Sequence, residues 1–174
     1  MKRAEDCKDE LKKYLADYRY QPALTKVLDA ASDADFDQEK INEIVLWKVN
    51  RYAKLSADSL ADLNSAAKIE PGKHRDAKEC IEKLLRGAGV DLPMASTFLR
   101  FRNPDTFQIV DRHAYRAVTG DSYPLYSYSK ESEKVALYFE YLDRLRVLAD
   151  QAGLSFKDMD RILYIFDKQE NGAL

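Results

Sequence analysis

The sequence has few of the residues that bind metals. Its 174 residues include two cysteines, Cys7 and Cys80, and two histidines, His74 and His113, all far apart along the chain. Two cysteines are too few for a disulfide framework, a Cys-only zinc site or an iron–sulfur cluster, and neither histidine has a partner at ligand spacing. We therefore expect neither a metal nor a cofactor.

Long hydrophobic runs are also absent. No apolar stretch approaches the roughly 20 residues of a membrane span, and the first residues, MKRAEDCKDELKK, carry charges where a signal peptide needs an apolar segment. We expect a cytoplasmic protein that has no membrane partner. The net charge of −2 argues against a globally basic nucleic-acid binder.

The apolar residues that are present recur at helical spacing, and the alternation typical of strands is nearly absent. Ser56 or Ser59 could cap a helix, Gly153 could stop one, and Ser155 with Asp158 forms a capping-box pattern. We predict a single all-α domain of about eight helices, including helices within 11–18, 41–55, 74–86, 130–150 and 159–166.

Positive charge is concentrated in the segment 84–118. This segment has no lysine, three aspartates and five arginines, and so carries a net charge of +2. Arginine presents a planar fork that suits phosphate, so these side chains could bind nucleic acid. They could equally pair with the many acidic side chains of the same chain. The arginines are Arg86, Arg100, Arg102, Arg112 and Arg116.

The same segment contains a glycine turn between two predicted helices, formed by Gly87, Ala88, Gly89 and Val90. Glycines allow positive φ and can expose several backbone N–H groups, which together bind phosphate well. The alternative is a plain turn between helices, with Asp91 as the N-cap of the second helix and proline in its first turn.

A Val-Asp-x-His-x-x-Arg segment follows, formed by Val110, Asp111, His113 and Arg116. Asp111 lies 22 residues after Gly89. The glycine turn and this segment, at this spacing, resemble the helix-hairpin-helix glycosylase superfamily of base-excision repair, which includes endonuclease III. The resemblance covers about a fifth of the chain. Small uncharacterised bacterial proteins have a similar segment around 93–111 and a similar late helix around 160–163.

The family hairpin follows the pattern Leu-x-Gly-Val-Gly-x-x-x-Ala, which this chain matches imperfectly. When the two sequences are aligned on Ala95, Gly89 and Val90 match, but Asp91 replaces the second glycine. Alternatively, Gly87 and Gly89 supply the Gly-x-Gly, with two extra residues before Ala95.

This resemblance implies a helix-hairpin-helix fold of two small helical lobes around a DNA-binding cleft, one of about 38–103 and one of about 1–30 plus 110–170. It implies that Asp111 is the catalytic residue, which stabilises the oxocarbenium-like transition state as the base departs. Pro93 stands at the position of the family's Schiff-base lysine, which implies a monofunctional enzyme.

Further residues could line a substrate pocket: Trp47, Arg51 and Tyr115. The aromatic cluster that Tyr115 forms with Tyr123, Tyr126 and Tyr128 could stack a flipped base, or it could pack its loop against the next helix. Two other functions stay open. The fold could serve as a non-catalytic nucleic-acid-binding module, or as a helical protein that binds another protein.

Overall fold

A computed structural model describes residues 15, 22–30, 36–49 and 53–172. The chain divides into two compact units, Met1–Tyr52 and Ala53–Leu174. Within the described residues, the regular structure is entirely helical, apart from an isolated antiparallel bridge between Lys54 and Ala88. The prediction of an all-α protein is confirmed. The division into lobes of 38–103 and 1–30 plus 110–170 stays a prediction.

The described part of the first unit contains α1 (Pro22–Asp29) and α2 (Gln38–Val49). The Trp47 indole Nε1 donates a 2.9 Å hydrogen bond to Thr25 Oγ1 and so joins α2 to α1. The helix predicted for 41–55 does not reach residue 55: α2 is described as far as Val49, and Lys54 lies in a bridge.

The second unit contains six α-helices in its described residues. They are α3 (Ala57–Ser65), α4 (Lys78–Leu85), α5 (Leu92–Arg102), α6 (Arg112–Thr119), α7 (Glu131–Ala152) and α8 (Met159–Glu170). Ser56 caps α3 by accepting a hydrogen bond from Ser59 N, and Gly153 ends α7 in the left-handed conformation at φ 64°, as the sequence predicts. The predicted capping box at Ser155 is wrong: its side chain makes no capping bond, and a 3-10 turn, Phe156–Asp158, precedes α8.

The core of this unit forms around α7. Apolar residues at spacings of three and four place one stripe of this 22-residue helix inward, and all of that stripe is buried. It packs against buried side chains of α4 and α6 and of the connection that leads to α6. The buried apolar residues of α7 are Val135, Tyr138, Phe139, Tyr141, Leu142, Leu145 and Ala149.

Helix α6 packs mainly against α8, and a buried carboxylate joins them. Asp167 on α8 has no exposed surface, and it accepts hydrogen bonds from Arg116 and His113 on α6. Because Arg116 donates to it, the pKa of Asp167 lies well below its ordinary value. The start of α6 is thereby fixed from one side.

Candidate active site

Asp111 is the N-cap of α6. Its backbone is extended, at φ −124° and ψ 176°, and its Oδ1 accepts a 2.7 Å hydrogen bond from Ala114 N. One oxygen thus fulfils the capping role that the residue type predicts. The other, Oδ2, has no hydrogen-bond partner in the described part of the chain, and the side chain is partly exposed. The carboxylate is therefore rigidly held and still has an oxygen available.

The three residues before Asp111 are held through their backbone groups. The hydroxyl groups of Tyr138 and Tyr141 on α7 donate to the carbonyl oxygens of Gln108 and Ile109, at 2.9 and 2.8 Å. From α5, Ser96 Oγ accepts a 3.1 Å hydrogen bond from Val110 N.

The side chains that hold this segment, those of Tyr138, Tyr141 and Ser96, are each at most 1% exposed. Water therefore does not compete for the bonds, and α5 and α7 together fix the entry to α6.

The glycine turn between α4 and α5 is tight. Gly89 adopts φ 76°, which favours glycine, and a side chain on Gly87 would come within 3.0 Å of the Leu84 carbonyl oxygen. Two amides of the turn are already used inside it, since Gly87 N donates to Leu84 O and Val90 N donates to Gly87 O. Fewer of its backbone N–H groups are therefore available to a phosphate than in an open phosphate-binding loop.

Asp91 is the N-cap of α5, with its Oδ1 accepting from Leu92 N at 2.7 Å, and Pro93 lies in the first turn. The same oxygen is 2.7 Å from the ammonium group of Lys134, a side chain that is only 8% exposed. The capped turn between helices, which the sequence left open as an alternative, is therefore present.

A pocket of about 460 Å³ adjoins the glycine turn and is lined by Gly87, Ala88 and residues of 54–59. Three cations line it. Lys83 pairs with Asp62 and Glu79, and Arg86 pairs with Glu131, but Lys54 is in no ion pair within the described residues. Lys54 could not be identified from sequence patterns, because it reaches the turn through a bridge between residues 34 positions apart.

A second pocket, of about 310 Å³, lies where α5 and α6 begin. Asp91 and Pro93 line it from the start of α5, and Arg112 lines it from the first residue of α6. The loop 123–128 completes it with Tyr123, Leu125, Tyr126, Ser127 and Tyr128. Asp111 immediately precedes Arg112 but is not among the residues that line this pocket.

The five arginines are not equivalent. Arg100 is buried, its Nε lies 3.2 Å from Asp160 Oδ2 without hydrogen-bond geometry, and its Nη2 donates to Lys157 O. Arg116 binds Asp167, and Arg86 binds Glu131; in each case the hydrogen bond to the carboxylate raises the pKa of the guanidinium group.

Arg102 donates to the Asn64 carbonyl oxygen. Arg112 is exposed and has no hydrogen bond or ion pair among the described residues. Ion pairing within the chain, one of the two uses that the sequence left open, is thus found for Arg86, Arg100 and Arg116, and nucleic-acid binding stays a prediction.

The remaining pocket residues are separated. Tyr115 is partly buried, edge to face with Tyr123 at 5.5 Å and stacked on Tyr141 at 6.5 Å between ring centroids. Trp47 lies in the first unit, and Arg51 lies outside the described residues. The structure thus brings Tyr115 near the Arg112 pocket through its contact with Tyr123, and the assignment of these residues to a substrate pocket stays a prediction.

Two further searches concern other kinds of site. Across 22–30, 36–49 and 53–172, no three His, Cys, Asp or Glu side chains are grouped closely enough to hold a metal ion. None of the helices within those ranges has both the length and the hydrophobicity needed to cross a bilayer.

Comparisons of the chain with known protein families, with curated proteins and with solved structures gave no match. The functional assignment therefore depends on the residues and their geometry.

Proposed function

We propose that the protein is a helix-hairpin-helix DNA-glycosylase-like enzyme that hydrolyses an N-glycosidic bond in damaged or modified DNA. One observation carries the proposal. The helix after the glycine turn and the helix capped by Asp111 begin at the same pocket, through Pro93 and Arg112. A glycosylase of this kind needs those two helix starts side by side, and 19 residues separate Pro93 from Arg112 in the sequence.

Asp111 supplies the chemistry in this proposal. As the base leaves, positive charge develops on the sugar, and a fixed carboxylate stabilises that transition state more than the ground state. Oδ1 is held by Ala114 N, and the preceding backbone is held by α5 and α7. Oδ2 can therefore face the sugar at little cost in reorganisation.

The proposed reaction is hydrolysis without a covalent enzyme intermediate. Pro93 cannot form a Schiff base, and the ammonium group of Lys134 is engaged by Asp91 and by the Ser127 carbonyl oxygen. An amine held in these contacts is not available as a nucleophile. The product would be an abasic site in an uncut strand.

The DNA backbone would lie along the glycine turn and its adjacent pocket. Lys54, Arg102 and Arg112 are not in ion pairs within the described residues, whereas Arg86, Arg100 and Arg116 are. Few phosphates would be neutralised, so we expect weak binding whose affinity falls with rising salt.

The test compares wild type with Asp111→Asn and Asp111→Ala on duplexes that contain deaminated, oxidised or alkylated bases. Asparagine can still cap α6 but carries no charge, so Asp111→Asn should lower base release by about 100-fold or more at nearly unchanged stability. Asp111→Ala should also lose about 1 kcal/mol of stability because the cap is gone.

Full activity of Asp111→Asn would contradict the catalytic role. Borohydride trapping of a protein–DNA adduct would contradict the monofunctional reaction, and Lys134→Met would then show whether Lys134 forms it.

A second candidate is a nucleic-acid-binding module on the same fold without catalysis. One observation favours it: Asp111 does not line the 310 Å³ pocket. It predicts DNA binding with no base release from any of the duplexes, and wild-type affinity for Asp111→Asn.

A further inference from the structure

The four tyrosines of 115–128 form two pairs with different surroundings. Tyr115 and Tyr123 pack against the core, and burial raises the pKa of Tyr123. Tyr126 and Tyr128 stack on each other at the surface, with ring centroids 5.3 Å apart and planes at 6°. They are 58% and 83% exposed, so their rings contribute little to the core. We call these two residues the outer tyrosine pair.

The outer tyrosine pair is held in place by its loop. Tyr126 N donates to Ser129 Oγ, and Ser129 N donates back to Tyr126 O, both at 3.0 Å. The buried Lys134 donates to the Ser127 carbonyl oxygen at 2.8 Å. Because these bonds exist without a ligand, little loop entropy would be lost when one binds.

The charges beside the pair favour an anionic ligand. Arg112 lines the same pocket and has no ion-pair partner among the described residues. The pocket's carboxylate, Asp91, is compensated by Lys134 at 2.7 Å. The pocket thus combines an exposed aromatic face with one uncompensated guanidinium group.

We propose that the outer tyrosine pair and Arg112 bind single-stranded DNA, with an unpaired base stacked on the exposed face of Tyr128 and an adjoining phosphate on Arg112. Base–aromatic stacking accepts any base, because every base has a π-face. This inference rests on the proposed function only for the choice of nucleic acid as ligand. It adds a site beyond Asp111 and needs no catalysis.

A proline-rich peptide is the main competing ligand for exposed tyrosines. Such peptides insert prolines between aromatic side chains that line a groove. Here the two rings contact each other face to face, so no slot remains between them. Arg112 would also have no anion to bind in a proline-rich segment, whereas a nucleic acid supplies one at every residue.

The test measures the binding of a fluorescently labelled 12-nucleotide oligo(dT) to the full chain by anisotropy at several salt concentrations. Tyr128→Ala should weaken binding by about 5- to 150-fold, the equivalent of one lost base stack. Tyr128→Phe keeps the ring and should stay within about twofold of wild type. Arg112→Gln should lower the slope of log affinity against log salt by about 0.7, as expected for one phosphate contact on a single strand.

Phe101→Ala is the matched control, because Phe101 is another exposed aromatic residue, at 69%, and does not line this pocket. It should bind like wild type, and circular dichroism should show that every variant is folded. Equal affinity of Tyr128→Ala and wild type would overturn the inference. The inference would also be overturned if the wild-type protein did not bind oligo(dT) but bound a proline-rich peptide.

The two proposals fail separately. Loss of base release in Asp111→Asn, with normal oligo(dT) binding by Tyr128→Ala, would keep the glycosylase and overturn the tyrosine site. Weakened oligo(dT) binding by Tyr128→Ala, with no base release from any duplex, would support the tyrosine site and leave only non-catalytic binding.

Discussion

Ser96→Ala tests whether α5 holds the entry to α6. The substitution removes one oxygen, which accepts from Val110 N at 3.1 Å and donates to Pro93 O at 2.9 Å. Both Ser96 and Val110 have no exposed surface, so water cannot replace the lost acceptor. The Val110 N–H would remain buried without a partner.

The magnitude follows from two opposing effects. A buried donor without an acceptor costs about 1–3 kcal/mol. Alanine is a better helix former than serine, so this loss of stability is offset by up to about 0.7 kcal/mol within α5. The net loss should be roughly 1–2 kcal/mol, and the Tm of a chain of this size should fall by about 2–8 °C.

Thr97→Ala is the matched control. Thr97 Oγ1 donates to the same Pro93 carbonyl oxygen at 2.8 Å, but it accepts no backbone N–H. Its removal leaves no buried donor unpaired, so the free energy of unfolding should change by less than about 0.5 kcal/mol. Urea unfolding followed by circular dichroism measures both variants. Equal stabilities of Ser96→Ala and Thr97→Ala would refute the idea that Ser96 holds this segment.

Two further predictions concern the glycine turn and pH. Gly87→Ala should destabilise the protein by about 1–3 kcal/mol, because its Cβ would meet the Leu84 carbonyl oxygen at 3.0 Å; unchanged thermal unfolding would contradict this close approach. Burial lowers the pKa of His74 below its ordinary 6.5, so the unfolded chain binds the proton more readily and stability should fall as pH drops below about 6.5. Urea unfolding at pH 7.5 and 5.5 should show this loss in wild type and a smaller one in His74→Gln, whereas a flat wild-type profile would contradict it.

Local sequence signals predicted the ends of several helices well. Asp91, Asp111 and Ser56 act as N-caps, and Gly153 ends α7, because each role depends on one residue type and its immediate backbone. The Ser155 pattern failed although its residues fit. A capping bond also requires a particular backbone conformation, and a 3-10 turn begins there instead.

The partners of charged and polar groups could not be predicted in this way. Arg116 and Arg100 find their carboxylates 51 and 60 residues further along the chain, on α8. Arg112 has the same residue type and lies in the same segment, yet no partner faces it in the described residues. Which arginine is neutralised depends on tertiary packing, so it cannot be predicted from the charge composition of the segment.

The two uses of the aromatic loop illustrate the same point. Tyr123 and Tyr126 are three residues apart and chemically identical, but one packs against the core and the other is 58% exposed. The difference comes from the Tyr126–Ser129 turn and from Lys134, which arrives from α7. The residue type alone therefore does not show that Tyr123 packs against the core and that Tyr126 is exposed at the surface; the fold of the loop determines this.

The way in which 108–110 are held has a consequence for mutational tolerance. Helices α5 and α7 contact this segment through its amide and carbonyl groups, which every residue except proline possesses. At the half-buried position of Ile109, many side chains should therefore be interchangeable. The constraint is encoded 14 to 32 residues away, at Ser96, Tyr138 and Tyr141. If the Val-Asp segment were transferred into another helical protein, it would bring the carboxylate but not the Ser96, Tyr138 and Tyr141 side chains that position it.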